Sequence, residues 1–149
     1  MNFELTHEQK RIQAQARQFA EQEVAPVARE ADEKGQFPLH LVKRMGELGF
    51  LAGPIEPEFG GSGMDYLSYA LLCEELGRVD SSVRGFLTVH TSLVSLCIRD
   101  WGTEEQSAAT FRAWRRVNGL AAMLLPNQMP VPMPPVCRPP PGKREIAMS

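Results

Sequence analysis

The sequence predicts an all-α chain: a helical bundle followed by a proline-rich tail that shares no core with it. Three observations carry that reading. Apolar residues recur at steps of three and four, helix-capping signals precede several of these runs, and the composition breaks near Gln106. Residues 1–106 hold 17 of the 18 acidic residues and 10 of the 16 lysines and arginines, a formal charge of -7. Residues 107–149 hold one acid (Glu145), six bases and eight of the twelve prolines. One domain seldom changes sign and proline content so abruptly.

Thr6 followed by Gln9 has capping-box spacing, in which each side chain satisfies an amide that the first helical turn leaves unpaired. Leu5, ahead of the cap, is placed for a hydrophobic staple. Ile12, Ala16, Phe19, Ala20, Val24, Val27 and Ala31 then mark one face of an amphipathic helix. Pro26 has no amide to donate, so this helix should kink or divide there. Gly35 is a natural stop. A second helix begins near Pro38, carries Leu41, Met45 and Leu48 on one side, and ends at Gly49 in the left-handed conformation. The run FLAGPIEPEFGGSGMD, from Phe50 to Asp65, has four glycines and two prolines and reads as a structured loop. Within it Gly60, Gly61 and Gly63 are expected at positive φ. They are not a phosphate loop, because no GK[ST] follows and no strand precedes.

Asp65 caps a third helix that runs to Gly77 and repeats Leu67, Ala70, Leu71 and Glu74. Asp80 or Ser81 caps a fourth. There Val83, Phe86, Leu87, Val89, Leu93, Val94, Leu96, Cys97 and Ile98 leave little polar face, which predicts burial on several sides. Thr103 and Gln106 open a fifth helix. Beyond it, NQMPVPMPPVCRPPPGK holds neither a helix interior nor a central strand and is expected to be disordered and partly polyproline.

The overall charge of -2 gives no electrostatic reason to expect nucleic acid or a membrane surface as partner. No run approaches 18 apolar residues, so no membrane span is expected. Cys73, Cys97 and Cys137 lack metal or disulfide spacing and read as reduced structural thiols. With no secretory leader at the start, the expected location is the cytoplasm. Glu74 and Glu75 are neighbours that point apart on a helix, so they are not an acid/base pair. His90, on a mostly apolar helix without a ligand partner nearby, reads as a packed or hydrogen-bonded histidine.

Four segments occur in order: EVAPVAREADEKGQFP, GPIEPEFGGSG, YALLCEELGRVDSS, and GTEEQ after a buried helix. Together, over residues 1–106, they resemble the amino-terminal helical domain of the flavin-dependent acyl-CoA dehydrogenases. The resemblance implies a three-domain protein, usually a homotetramer holding FAD, which takes an α-proton from an acyl-CoA thioester with a glutamate while hydride leaves the β-carbon for the flavin. Electron-transfer flavoprotein is the implied redox partner. The implied glutamate belongs to the last domain, and the flavin-contacting segment, close to LTEP followed by GSD, to the middle one. No catalytic, cofactor-binding or metal residue is therefore assigned in this chain as written. The fourth helix borders the acyl chain in the family, which would place Phe86, Val89 and Leu93, at i, i+3 and i+7, along an acyl-pocket wall. Plain interdomain core is the competing reading of those three.

The departure from the family pattern at Ser107 has a codon-level explanation. Where the family has a string like KRRYLPRLAAGEW after GTEEQ, this chain has SAATFRAWRRVNGL. Read in the frame formed by each codon's third base and the next codon's first two, the tail can encode RRYLPRLAAGEWLGCYALTEPDAGSDA. Some positions leave no freedom: each of Met129-Pro130 and Met133-Pro134 must give alanine, and Gln128-Met129 gives only aspartate or asparagine. Loss of one base from a lysine codon after Gln106 turns Lys-Arg-Arg-Tyr into Ser-Ala-Ala-Thr. Residues 107–149 are accordingly expected to be out-of-frame translation, disordered and never selected as protein. Two function classes stay open: an acyl-CoA dehydrogenase represented by its amino-terminal domain and inactive alone, or a non-catalytic helical fragment with an interaction role.

Overall fold

The computed structural model describes residues 4–107 and residue 110, all helix or loop with no strand among them. Expectations for residues 108, 109 and 111–149 lie outside the described residues. Helix α1 (His7–Phe19) starts on the expected capping box. The Thr6 hydroxyl accepts from the Gln9 amide at 3.2 Å, and the Gln9 side-chain oxygen accepts from the Thr6 amide at 3.0 Å. The chain then passes through a π-helical segment, Ala20–Val24, into α2 (Ala25–Lys34). Pro26 lies in the first turn of α2 and offers no amide to the carbonyl four residues back. The ladder loosens one turn earlier, and the Ala25 amide bonds the Ala20 carbonyl five residues back. The expected division is therefore a widened turn. Gly35, at φ +60°, ends α2.

Helix α3 (Leu39–Glu47) buries Leu41, Val42 and Met45, and Gly49 follows at φ +74°. The loop from Phe50 to Asp65 is tied to itself by backbone bonds such as Met64 to Gly53 at 2.7 Å and Gly63 to Ile55 at 2.9 Å. Gly60 and Gly63 have the expected positive φ, but Gly61 does not. What requires glycine at 61 is closeness: a Cβ there would sit 1.9 Å from the Ile55 carbonyl oxygen.

Helix α4 (Tyr66–Gly77) is capped by Asp65, whose carboxylate accepts from the Ser68 amide at 2.8 Å. Its inner face is not the one that Leu67, Ala70, Leu71 and Glu74 suggested. Ser68, Tyr69, Leu71, Leu72, Glu75 and Leu76 are buried, while Leu67, Ala70 and Glu74 are exposed. Glu75 can lie on this face because Arg17 and Gln13 of α1 bond its carboxylate. Asp80 caps α5 (Ser81–Thr88), accepting from the Val83 amide at 2.6 Å. A second π-helical segment (Val89–Leu96) leads into α6 (Cys97–Trp101). Thr103 and Gln106 form a second capping box for the turn over residues 104–107. Ser107 is buried there and donates its hydroxyl to the Ile98 carbonyl at 3.1 Å.

The main core joins the inner faces of α1, α3, α4 and α5. Phe19 meets Phe50 edge-on with ring centroids 5.9 Å apart, a geometry worth about 0.5–1.5 kcal/mol beyond the area it buries. A smaller cluster gathers Val94, Leu96 and Ile98 around buried Ile55 of the loop. No helix among the described residues is long and apolar enough to cross a membrane.

Candidate functional site

The stretch the sequence singled out runs along α5 and the π-helical segment after it. Phe86 is half-buried: its ring lies 5.3 Å from Phe37 and 6.1 Å from the His90 imidazole, which stacks on it. Val89 and Leu93 are 42% and 69% exposed. The three do not enclose a pocket. Phe86 belongs to the margin of the core, and the other two lie on the outside. The expectation of a helix buried on several sides is thereby corrected from Val89 onward, because the wall is open to solvent on its apolar face.

What this segment buries is polar. His90, Thr91 and Ser95 are each 1% exposed or less. His90 donates from Nδ1 to the Leu51 carbonyl at 3.1 Å, and the Thr91 hydroxyl donates to the same oxygen at 2.9 Å. A carbonyl oxygen has two acceptor positions, so both are used. It cannot donate, which fixes a proton on Nδ1. Ser95 donates to the His90 carbonyl at 2.8 Å. His90 is thus the hydrogen-bonded core histidine that its sequence context suggested. Thr91 and the Leu51 carbonyl went unnoticed there, and no local pattern connects residues 40 positions apart.

Behind the segment, burial pushes the Tyr69 phenol up to about 12 and raises the Cys73 thiol above its ordinary value. Both groups therefore hold their protons at neutral pH, so neither is a ready base or thiolate nucleophile. Glu75 is the charged centre of the molecule, only 2% exposed. Arg17 donates to it twice, at 3.0 and 2.7 Å, Arg78 at 2.8 Å and Gln13 at 3.2 Å. The Arg17 hydrogen bonds hold its carboxyl below the usual range against the opposing effect of burial. A carboxylate with four donors is a structural anchor, unavailable to abstract a proton. Its neighbour Glu74 points to solvent, in keeping with their divergence on a helix.

Among the described residues, the arrangement offers an apolar external strip on a rigid polar backing, without a positioned acid, base or nucleophile. It does not fit a flavin site either. The glycines at 60, 61 and 63 are occupied in closing their own loop, and the buried donors of His90, Thr91 and Ser95 bond back to the chain.

Comparison with known proteins accounts for a domain of this kind. The family described as acyl-CoA dehydrogenase, N-terminal domain, matches residues 6–114. The short-chain specific acyl-CoA dehydrogenase of Clostridium acetobutylicum is 45% identical over 106 residues, 71% of this chain and 28% of that protein. The butyryl-CoA dehydrogenase structure from Megasphaera elsdenii superposes with a TM-score of 0.70 at 35% identity, covering 74% of this chain and 30% of that one. A chain in a structure concerned with the electron transferring flavoprotein of Acidaminococcus fermentans gives 0.72 at 39% identity, covering 74% and 29%. The chain thus spans less than a third of the length of the relatives it matches. Over most of its own length, this chain belongs to the acyl-CoA dehydrogenase family, as its N-terminal domain.

Proposed function

We propose that this domain serves an FAD-dependent enzyme that introduces an α,β double bond into an acyl-CoA thioester, and that the 149-residue polypeptide alone is inactive. The observation that carries this is the match to the family over residues 6–114, joined to a site that holds apolar surface and no reacting group. Its part in the reaction would be to form one wall. Val89 and Leu93 present apolar side chains outward, and the fixed backbone behind them would hold that surface steady against an acyl chain. Phe86 would support the wall from its core margin. The flavin would act as hydride acceptor, and its contacts, like the proton-abstracting glutamate, would come from domains that the relatives possess beyond this region. In such an enzyme the partners would be acyl-CoA and an electron-transfer flavoprotein, within a homotetramer. The likeness to a chain from the Acidaminococcus study supports the redox partner.

Out-of-frame translation after Gln106 belongs to the same reading. Its support is the change of charge and proline content at that point and the codon constraints at Met129, Met133 and Gln128. Resequencing the gene tests it. We expect one base missing just after the Gln106 codon, with the shifted frame open for a few hundred residues and encoding a glutamate base. A shifted frame that closes within a few codons of the tail, with nothing family-like beyond, rejects it.

A further inference from the structure

We infer that the carbonyl oxygen of Leu51 is a register lock: with His90 and Thr91 it holds Val89–Leu96 in the π-helical ladder. The inference rests on packing and does not depend on the proposed activity. A π-helix is ordinarily a single turn inside an α-helix, yet this one runs for eight residues. It contains neither glycine nor proline, the usual local causes of a loosened ladder. Hydroxyls of the helix bond its own carbonyls, Thr88 to Arg84 and Gly85 just before the segment and Ser95 to His90 inside it, and contacts from outside the helix add to these.

Neighbouring side chains on an α-helix diverge by about 100°, whereas His90 and Thr91 converge on one atom at 3.1 and 2.9 Å. A wider turn reduces that divergence. The acceptor does not move to meet them. On one side of Leu51 the Phe50 amide bonds the Met45 carbonyl at 2.9 Å; on the other the Ser62 amide bonds the Ala52 carbonyl at 3.1 Å. Ser62 also donates its hydroxyl to the Gly49 carbonyl, and Gly61 lies too close to Ile55 for the loop to slide. With the loop fixed and the start of α5 fixed by Asp80, the helix adapts. Ser95 seals the result by donating to the carbonyl five residues before it.

His90 and Thr91 are positioning residues for that ladder.

The test is through-hydrogen-bond scalar coupling between amide nitrogens and carbonyl carbons in the isotope-labelled 149-residue chain. In the unmodified chain the Ser95 amide is expected to couple to the carbonyl of residue 90. In the double variant His90→Phe/Thr91→Val, which keeps both side-chain outlines and removes both donors, the partner should become the carbonyl of residue 91. Coupling to residue 91 in the unmodified chain, or to residue 90 in the double variant, overturns the inference. Should the double variant not fold, the two single variants decide. Each removes one buried bond and should speed amide exchange over residues 93–96 about tenfold; unchanged exchange in both rejects the lock.

Discussion

The α1–α4 pair and the Val89–Leu96 segment differ in what they bury most deeply. Between α1 and α4, apolar side chains fill the interior and one carboxylate, Glu75, is neutralised there by Arg17 and Arg78. Along Val89–Leu96, the inside is His90, Thr91 and Ser95, and the outside is Val89 and Leu93. Both regions leave apolar side chains outside, Tyr66 and Leu67 at the start of α4 and Val89 and Leu93 in the second, but the second backs them with a buried polar row.

Substitutions can break this contrast at its strong end. Leu72→Ala, in the fully buried line of α4, should cost about 2–5 kcal/mol, read as a lowered denaturant midpoint. Glu75→Ala should follow. It strands two arginines, but both are about half exposed, so the expected loss is about 1–3 kcal/mol, below that of a fully buried pair. A loss as small as that of an ordinary surface ion pair would show that α1 and α4 are held by apolar packing alone.

Acid titration sharpens the same point. The folded-state pKa of Glu75 is depressed, so its stabilisation is present above the ordinary carboxylate value, about 4.3. That stabilisation is lost as pH falls from there through the depressed value. Melts of the unmodified chain and of Glu75→Ala should therefore differ most above about pH 5 and converge on acidification. A gap that stays constant down to low pH would contradict the Arg17 pairing. A smaller effect, about 1 kcal/mol, is expected for Thr6→Ala, which removes the cap of α1. Smallest of all is Leu93→Ser on the open strip, which should shift stability by no more than about 0.5 kcal/mol. A large loss there would mean that the strip is already covered.

What was legible in the sequence follows the range of the interactions. Both capping boxes, Thr6 with Gln9 and Thr103 with Gln106, span three residues and were plain from spacing. So were the stops at Gly35 and Gly49, the second of them as a left-handed residue. The inner face of α4 was not, because it includes Glu75, whose pairing with Arg17 lies 58 residues away in the chain. The buried polar row beside Val89 and Leu93 was hidden for the same reason, because His90 bonds to Leu51, 39 residues before it. Gly61 was recognised as necessary for the wrong reason, since only the folded loop brings Ile55 against it.

The central claim is that this domain supplies a surface to a flavoenzyme and no chemistry of its own. The most direct test purifies two products side by side, the 149-residue chain and the protein made after one base is restored behind the Gln106 codon. Flavin absorbance and dye reduction with short- to long-chain acyl-CoA are then measured on both. We expect no flavin band and no turnover above a blank from the first, because orienting and stabilising groups act only when held together. From the second we expect stoichiometric yellow flavin and acyl-CoA-dependent reduction. Flavin co-purifying with the 149-residue chain, or a restored product that stays colourless, would contradict the account.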